Sequence, residues 1–572
     1  MVKLSPIDKF FEKGGKTNFY WWISLVVLAI PLLLFYTGER SLMAHDEGYY
    51  AIQARWIYET HDWLTPRWWG TAVYDRTIGL QWLVALAYHV FGISELSTRL
   101  VSAASGLAGV LLTAAIGSII HSPGLGWLAG LIFMLSPLWV SESHMLQQNL
   151  PVVAIELFGI WCLLKAENSS QKRWWFLAGT SVGLGFLMKG FMVAVPTIAL
   201  IPYLWLHHRR RFLSDGSIYL GLLGGFVPTA IWLWASCQKY GSCQPVKDLV
   251  EKLLFLSRSG LYDPGPLYYF WNIPVNMFPW PLFAIIGCLS LWQNHRSRSV
   301  AIGKSSENLH YLSLTIVYPV IFFTILSFFK TRMPYYGLQI MPSLAILAAV
   351  GLVELPRWKR VGKTIVYLFT GLSTLLILLG GTIAFLVRSQ APYDGVERIR
   401  FFSQRLTEIL PPTAAIYAAP ALFLGLGWLT LAASWRQYRD KGMLSWLASW
   451  TVGPWFALTL LTMQGAWDNR VPEFKPMLSA SGAIPTLQKH IIHVIPHQQP
   501  TSPYIPSPTA ADPLTGNQHK ELVLLTFYTP HLGQSKTQLA DLQPGEYAWV
   551  LDPPSPYRRI ARVGEWSLIV MN

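Results

Sequence analysis

Of the chain's 572 residues, 52% are hydrophobic, 14% aromatic and only 13% charged, where ordinary soluble domains carry about 25% charged residues. The net charge of +14 argues against nucleic acid as a partner, because the basic residues stand in short clusters between apolar runs, the pattern of cytoplasmic loops under the positive-inside rule. Four cysteines make neither a disulfide framework nor a metal cluster.

The first apolar run, Tyr20–Tyr36, carries an aromatic residue at each end, where such rings prefer the headgroup level. It is too long for a signal-peptide core and is followed by no small-residue cleavage site. Runs of similar length, enough to cross a bilayer core as helices, recur along the chain. They predict about thirteen spans, near 20–36, 98–120, 124–141, 149–165, 174–189, 191–206, 216–236, 270–292, 311–328, 335–354, 363–387, 413–434 and 445–464. Lys3, Lys9, Lys13 and Lys16 precede the first span. Further basic clusters are Lys165/Lys172/Arg173, His207–Arg211, His295–Arg298, Arg357–Arg360 and Arg436/Arg439/Lys441. With an odd number of spans, all fall on one side, so the N-terminus is expected in the cytoplasm and the C-terminus outside.

Two stretches are not expected to span. Residues 37–97 form an outside loop within the transmembrane domain, 1–464. In this loop Asp46–Thr60 places Tyr49, Ile52, Trp56 and Ile57 on one helical stripe, with Arg55 and Glu59 elsewhere, which suits a helix lying in the interface plane. Thr77–Phe91 predicts a second such helix. The tail, 465–572, contains a Pro/Ser/His-rich linker, Ile495–Pro513. It then alternates apolar and polar residues over Glu521–Tyr528, Glu546–Leu551 and Trp566–Met571, predicting a small extracytoplasmic α/β domain. No internal repeat is found, which weakens a transporter built from duplicated halves.

The strongest local signal is His45-Asp46-Glu47-Gly48-Tyr49-Tyr50, a few residues outside the first span. Paired carboxylates at a membrane surface are costly to desolvate, which invites a functional reading. On a helix they point about 100° apart, so one of the two faces a given substrate. The bland alternative is that Asp46 caps the helix. Cys237 and Cys243 bracket a short polar segment after a span and fall outside, where they form either a loop-stiffening disulfide or two free thiols.

With Asp46-Glu47, Asp62-Trp63-Leu64-Thr65-Pro66 and Tyr74-Asp75-Arg76 in this order after a first span, the chain resembles the GT-C membrane glycosyltransferases, specifically the protein O-mannosyltransferase group and its bacterial lipid A aminoarabinose transferase relatives. The match continues at Leu187-Met188-Lys189-Gly190, Pro266-Leu267-Tyr268-Tyr269 with Phe278-Pro279-Trp280, and Lys330-Thr331-Arg332-Met333-Pro334-Tyr335-Tyr336 with Pro342. It covers roughly residues 20–355. The resemblance implies a multi-pass inner-membrane enzyme that moves a sugar, with inversion, from a polyprenyl-phosphate donor to a lipid, glycan or protein acceptor on the extracytoplasmic face. It makes Asp46, with Glu47 beside it, the catalytic acid pair, and Lys189, Lys330 and Arg332 the cations for the lipid phosphate. Tyr50, Asp75, Arg76, Tyr268, Tyr269, Tyr335 and Tyr336 then line the substrate cavity.

Two departures stand out. Gln148-Asn149-Leu150-Pro151 replaces an Asp-x-Pro step of the aminoarabinose relatives, so a charge there is lost. Where those relatives carry a histidine, this chain has Tyr262-Asp263; Asp75 and Asp263 could together hold a divalent cation, although metal-independent transfer without a cofactor is favoured. A glycolipid transporter or flippase, or a non-catalytic glycan-assembly subunit, are the competing classes. The first predicts charges within spans; the second would dispense with the acids.

Overall fold

The computed structural model describes residues 17–44, 46–69, 71–169, 171–258, 263–301, 313–389, 415–438, 442–467, 474–496, 516–551, 553 and 557–571. His45, Tyr262, Arg439, Lys441, the four N-terminal lysines and most of the Ile495–Pro513 linker lie outside the described residues. Seven helices are long and apolar enough to cross a membrane, or up to nine with two bent pairs, among the described residues. Several of the thirteen expected runs are bent or shorter helices. The run at 124–141 breaks by 66° between Pro123–Met134 and Pro137–Ser143, where Pro137 pushes Ser136 into extended backbone. The run at 270–292 bends by 105° between Tyr268–Asn276 and Trp280–Gln293. The run at 335–354 splits into a 3-10 turn, Pro334–Gln339, and a 14-residue helix, Met341–Glu354.

The 174–206 hairpin does form. Helix Lys172–Lys189 ends at Gly190, whose φ of +61° lies in the left-handed region open to glycine. One 3-10 turn later, helix Ala194–Ser214 runs back. Trp175 thereby meets His208 with ring centroids 5.6 Å apart, whereas one straight helix would separate them by roughly 50 Å. His208 pairs with Glu167 at 2.7 Å, which gathers the basic clusters near 165–173 and 207–211 at one end of the bundle. Asn149 starts the helix that ends at Asn168, so it stands about 24 Å along the axis from Lys165.

Helix Asp46–Thr60 follows the first span as expected, but protein covers it. Gln53 and Arg55 are buried with its apolar residues, Gln53 against Gln81 of the next helix and Arg55 under the tail. Helix Gly79–Phe91 instead keeps Leu83, Leu86 and Val90 exposed on one face, the spacing of a helix lying in a lipid interface. A short antiparallel hairpin, β1 (Arg67–Trp68) and β2 (Thr71–Ala72), joins the two.

The tail folds as a five-stranded sheet of β3 (Ile492–Ile495), β4 (Leu532–Ser535), β5 (Tyr547–Leu551), β6 (Arg558–Val563) and β7 (Trp566–Val570), in the order β4-β3-β5-β7-β6. β3 is parallel to β4 and β5, and the other pairs are antiparallel. Glu521–Tyr528, expected as a strand, is part of helix Gly516–Tyr528. Leu522, Val523, Leu524, Leu525 and Thr526 are all buried, so the segment lies between the sheet and helix Asp46–Thr60, and a helix covered on both sides carries no clean apolar stripe. A Cβ at Gly48 would lie 2.8 Å from Val523 Cγ1, so the motif's glycine is what lets the two helices touch. Tyr49, Ile52, Trp68, Leu522, Trp549 and Trp566 share one hydrophobic cluster.

Candidate active site

The two neighbouring carboxylates separate completely. Glu47 is fully buried and takes a bidentate ion pair from Arg99, at 2.7 Å and 2.8 Å. It also accepts the Met43 and Leu146 amides at 2.7 Å and 3.0 Å. Burial alone would raise its carboxyl pKa; the Arg99 charge and hydrogen bonds, helped by the Met43 amide, overcome this and hold it below the usual value. Arg99 donates onward to the carbonyls of Thr37, Arg40 and Ser41. Glu47 is therefore the clamp that closes the turn between the first span and its helix. The expected catalytic share for Glu47 is corrected to a structural one: it has neither exposure nor a spare lone pair for substrate.

Asp46 points the other way, half-buried, with its Oδ1 accepting from Arg76 Nη2 at 2.9 Å. Arg76 also donates to the Tyr50 hydroxyl and lies 4.6 Å from the centre of that ring. Burial, countered in part by Arg76, raises the Tyr50 phenol above its ordinary value, so this hydroxyl keeps its proton. Asp75 lies 3.8 Å from Arg76 Nε. The Arg76 guanidinium thus joins two other expected cavity residues, Tyr50 and Asp75, to the expected base.

Lys189 completes the cluster. Its place at the hairpin turn lets the ammonium donate to Asn149 Oδ1 beneath the rings of Tyr335 and Tyr336, whose centroids are 5.3 Å and 5.1 Å away. Asn149 Nδ2 donates to Glu142 Oε2 at 2.6 Å and to Gln147 Oε1 at 2.5 Å. Glu142, Asp46 and Arg76 are the charges acting on Lys189. The acid behind Asn149 is therefore Glu142, reached through the carboxamide, which no local pattern in the sequence singles out.

The remaining expected residues divide. Arg332 is buried, pairs with Asp263 and donates to Ser327 O at 3.0 Å, so its charge is largely met by the protein. Lys330 is exposed. Tyr269 is buried and donates to Met333 O at 3.1 Å, and Tyr268 is buried and accepts from Asn272 at 3.1 Å. Both belong to the buried hydrophobic cluster against which Tyr336 also packs. Asp62 serves as a fastener, with Lys239 at 2.6 Å, while Trp232 donates to Leu64 O at 3.0 Å. Asp75 and Asp263 each face an arginine, a poor setting for a second cation, and among the described residues no group of three or more His, Cys, Asp or Glu is placed to hold a metal. Cys237 and Cys243 are free thiols close to one another.

Fold and site together define a membrane protein with a carboxylate, an arginine and a lysine converging where helix ends meet the interface. Residues 75–234 match the family model for dolichyl-phosphate-mannose-protein mannosyltransferase. The resemblance to GT-C membrane glycosyltransferases drawn from the motifs holds. An undecaprenyl phosphate-alpha-4-amino-4-deoxy-L-arabinose arabinosyl transferase of Pseudomonas fluorescens is 25% identical over 373 residues, 64% of this chain and 65% of that protein. A namesake from Aeromonas salmonicida is 27% identical over 58% of this chain and 61% of its own length. The matched stretch is thus a little under two thirds of these relatives. One from Edwardsiella ictaluri is 26% identical over 82% of this chain and 80% of its own. The crystal structure of ArnT from Cupriavidus metallidurans bound to undecaprenyl phosphate shares the fold, with a TM-score of 0.67 at 16% identity, covering 96% of this chain and 97% of that one.

Proposed function

We propose that the chain is an inverting glycosyltransferase that moves a sugar from a polyprenyl-phosphate donor to a lipid, glycan or protein hydroxyl on the extracytoplasmic face, without a cofactor. The observation that carries the reading is the Asp46–Arg76 pair beside the Lys189 ammonium. An acceptor oxygen attacks the anomeric carbon as the bond from that carbon to the phosphate oxygen breaks. Asp46 takes the acceptor's proton, and the electron pair leaves with the polyprenyl phosphate, whose growing charge Arg76 and Lys189 stabilise. Of the other two expected cations, just before Tyr335 in the chain, Lys330 is exposed and free to meet the lipid phosphate, while Arg332 is held by Asp263.

The names of the relatives favour undecaprenyl phosphate as carrier and an aminopentose as the sugar. The basic clusters collected at the other end of the bundle support a cytoplasmic N-terminus and an extracytoplasmic tail. A transporter accounts less well for the site, whose charges converge at one end rather than along a path. Reconstituted protein given undecaprenyl-phosphate aminoarabinose should transfer the sugar to an added lipid acceptor, detected by mass spectrometry. Mass spectra of cell lipids and surface glycans unchanged by deletion would overturn the reading.

A further inference from the structure

Lys189 stands where a lipid phosphate would be met, yet its ammonium is held from behind. The Asn149 carboxamide fits in one orientation only. Its oxygen must face the ammonium, which has no acceptor, and its nitrogen must face Glu142 Oε2 and Gln147 Oε1. Glu142, Asn149 and Gln147 are all buried, so water does not share these bonds. The opposite wall is set by the same helix. Glu156, two turns below Asn149 and on the same face, accepts from Gln339 Nε2 at 2.8 Å, at the end of the 3-10 turn that carries Tyr335 and Tyr336.

Charges acting on Lys189 come from three other elements: Asp46 from the interfacial helix, Arg76 from the loop after β2 and Glu142 from the short helix before Asn149. Asp46 is engaged by Arg76, and Glu142 is the carboxylate whose hydrogen bonds lead to the ammonium. A buried carboxyl group is costly unless it is bonded; here it takes a bond from the Asn149 amide, whose oxygen in turn takes one from the ammonium.

We propose that Glu142 is a positioning residue for the transfer reaction: acting through the Asn149 carboxamide, it fixes the Lys189 ammonium beside Asp46 and Arg76, without touching substrate itself. The inference rests on the glycosyltransferase reading for its role and on the geometry for its wiring. The donor phosphate gains negative charge as its bond to the sugar breaks. A cation held in place therefore acts mainly on kcat, because it needs no reorganisation as that charge grows.

The test uses the full chain with undecaprenyl-phosphate aminoarabinose as donor. Glu142→Gln keeps the hydrogen bond from Asn149 and removes the charge; kcat should fall about 10–10²-fold with donor KM changed less than about threefold. Glu142→Gln combined with Asn149→Asp moves the carboxylate one link forward and should bring kcat back to within about fivefold of wild type. A purely structural role does not predict that rescue. Asn149→Asp alone sets two buried carboxylates against each other and should melt below the double variant, a readout that needs neither activity nor a well-folded Glu142→Gln. Wild-type kcat in Glu142→Gln, a double variant no better than it, or equal melting of Asn149→Asp and the double variant would each overturn the inference. An inactive wild type would instead count against the transferase reading, while the melting comparison would still test the wiring.

Discussion

Arg76 Nη2 lies 2.9 Å from Asp46 Oδ1 while the same guanidinium donates to the Tyr50 hydroxyl. The carboxylate is thus aimed by a fork that a single ammonium could not reproduce. Replacing Asp46 by Asn keeps the size and an oxygen for Arg76 but removes the base. Turnover should fall about 10²–10⁴-fold, with the melting temperature and undecaprenyl-phosphate binding nearly unchanged. A fully active Asp46→Asn protein would move the weight to the transporter reading. An acceptor that is itself a phosphate needs no base; in that case the penalty should be independent of pH.

Arg76→Lys keeps the charge and loses the fork. We expect kcat to drop at least about tenfold, since the Asp46 and Tyr50 contacts cannot both be kept by one ammonium. Steady-state kinetics at saturating donor provide the measurement, and wild-type kcat would show that the guanidinium geometry is immaterial.

Glu47→Gln should act on folding. It leaves Arg99 buried beside a neutral amide, a change that costs about 3–5 kcal/mol when one partner of a buried pair is removed. The sign of the pH dependence follows from the lowered carboxyl. Its contribution is complete above the ordinary value of 4.5 and is lost as pH falls through the lower folded value. Thermal melting in detergent between pH 7 and pH 3 should fall for the wild type and stay flatter for Glu47→Gln, which starts lower.

The sequence carried most of the site and misplaced part of it, for identifiable reasons. Asp46, Arg76, Lys189, Tyr335 and Tyr336 converge as the motif order implied. Glu47 was paired with Asp46 by adjacency, but neighbours on a helix face different surroundings, and only its contact with Arg99, 52 residues away, reveals its part. Glu142 sits in an unremarkable Ser-Glu-Ser triplet and gains meaning through Asn149, where the sequence shows only a missing charge. Helix Gly516–Tyr528 read as a strand because burial on two sides erases the helical period.

Sidedness gives a fourth expectation. In a Cys237→Ser, Cys243→Ser background, a cysteine at exposed Thr537 should react with a membrane-impermeant thiol reagent in intact spheroplasts. One at exposed Lys172 should react only after lysis. The reverse pattern would invert the topology.

Arg55 fastens the tail to the interfacial helix, donating to the carbonyls of Phe527, at 2.5 Å, and Pro530. Arg55→Ala should loosen that roof and expose helix Gly516–Tyr528 to limited proteolysis, with activity falling in parallel. Unchanged cleavage kinetics would show the contact to be dispensable.

The same roof sets an order of events during synthesis. Helix Asp46–Thr60 is among the first segments to leave the ribosome, yet the carbonyl that receives Arg55 follows 472 residues later. At about 5–20 residues per second, the helix waits roughly half a minute to a minute and a half for its cover. Until helix Gly516–Tyr528 has been made and packed, the buried faces of Tyr49, Ile52 and Arg55 stay open. On the transferase reading proposed above, a nascent chain would then stay idle among lipid-linked sugars until its C-terminal helix is in place.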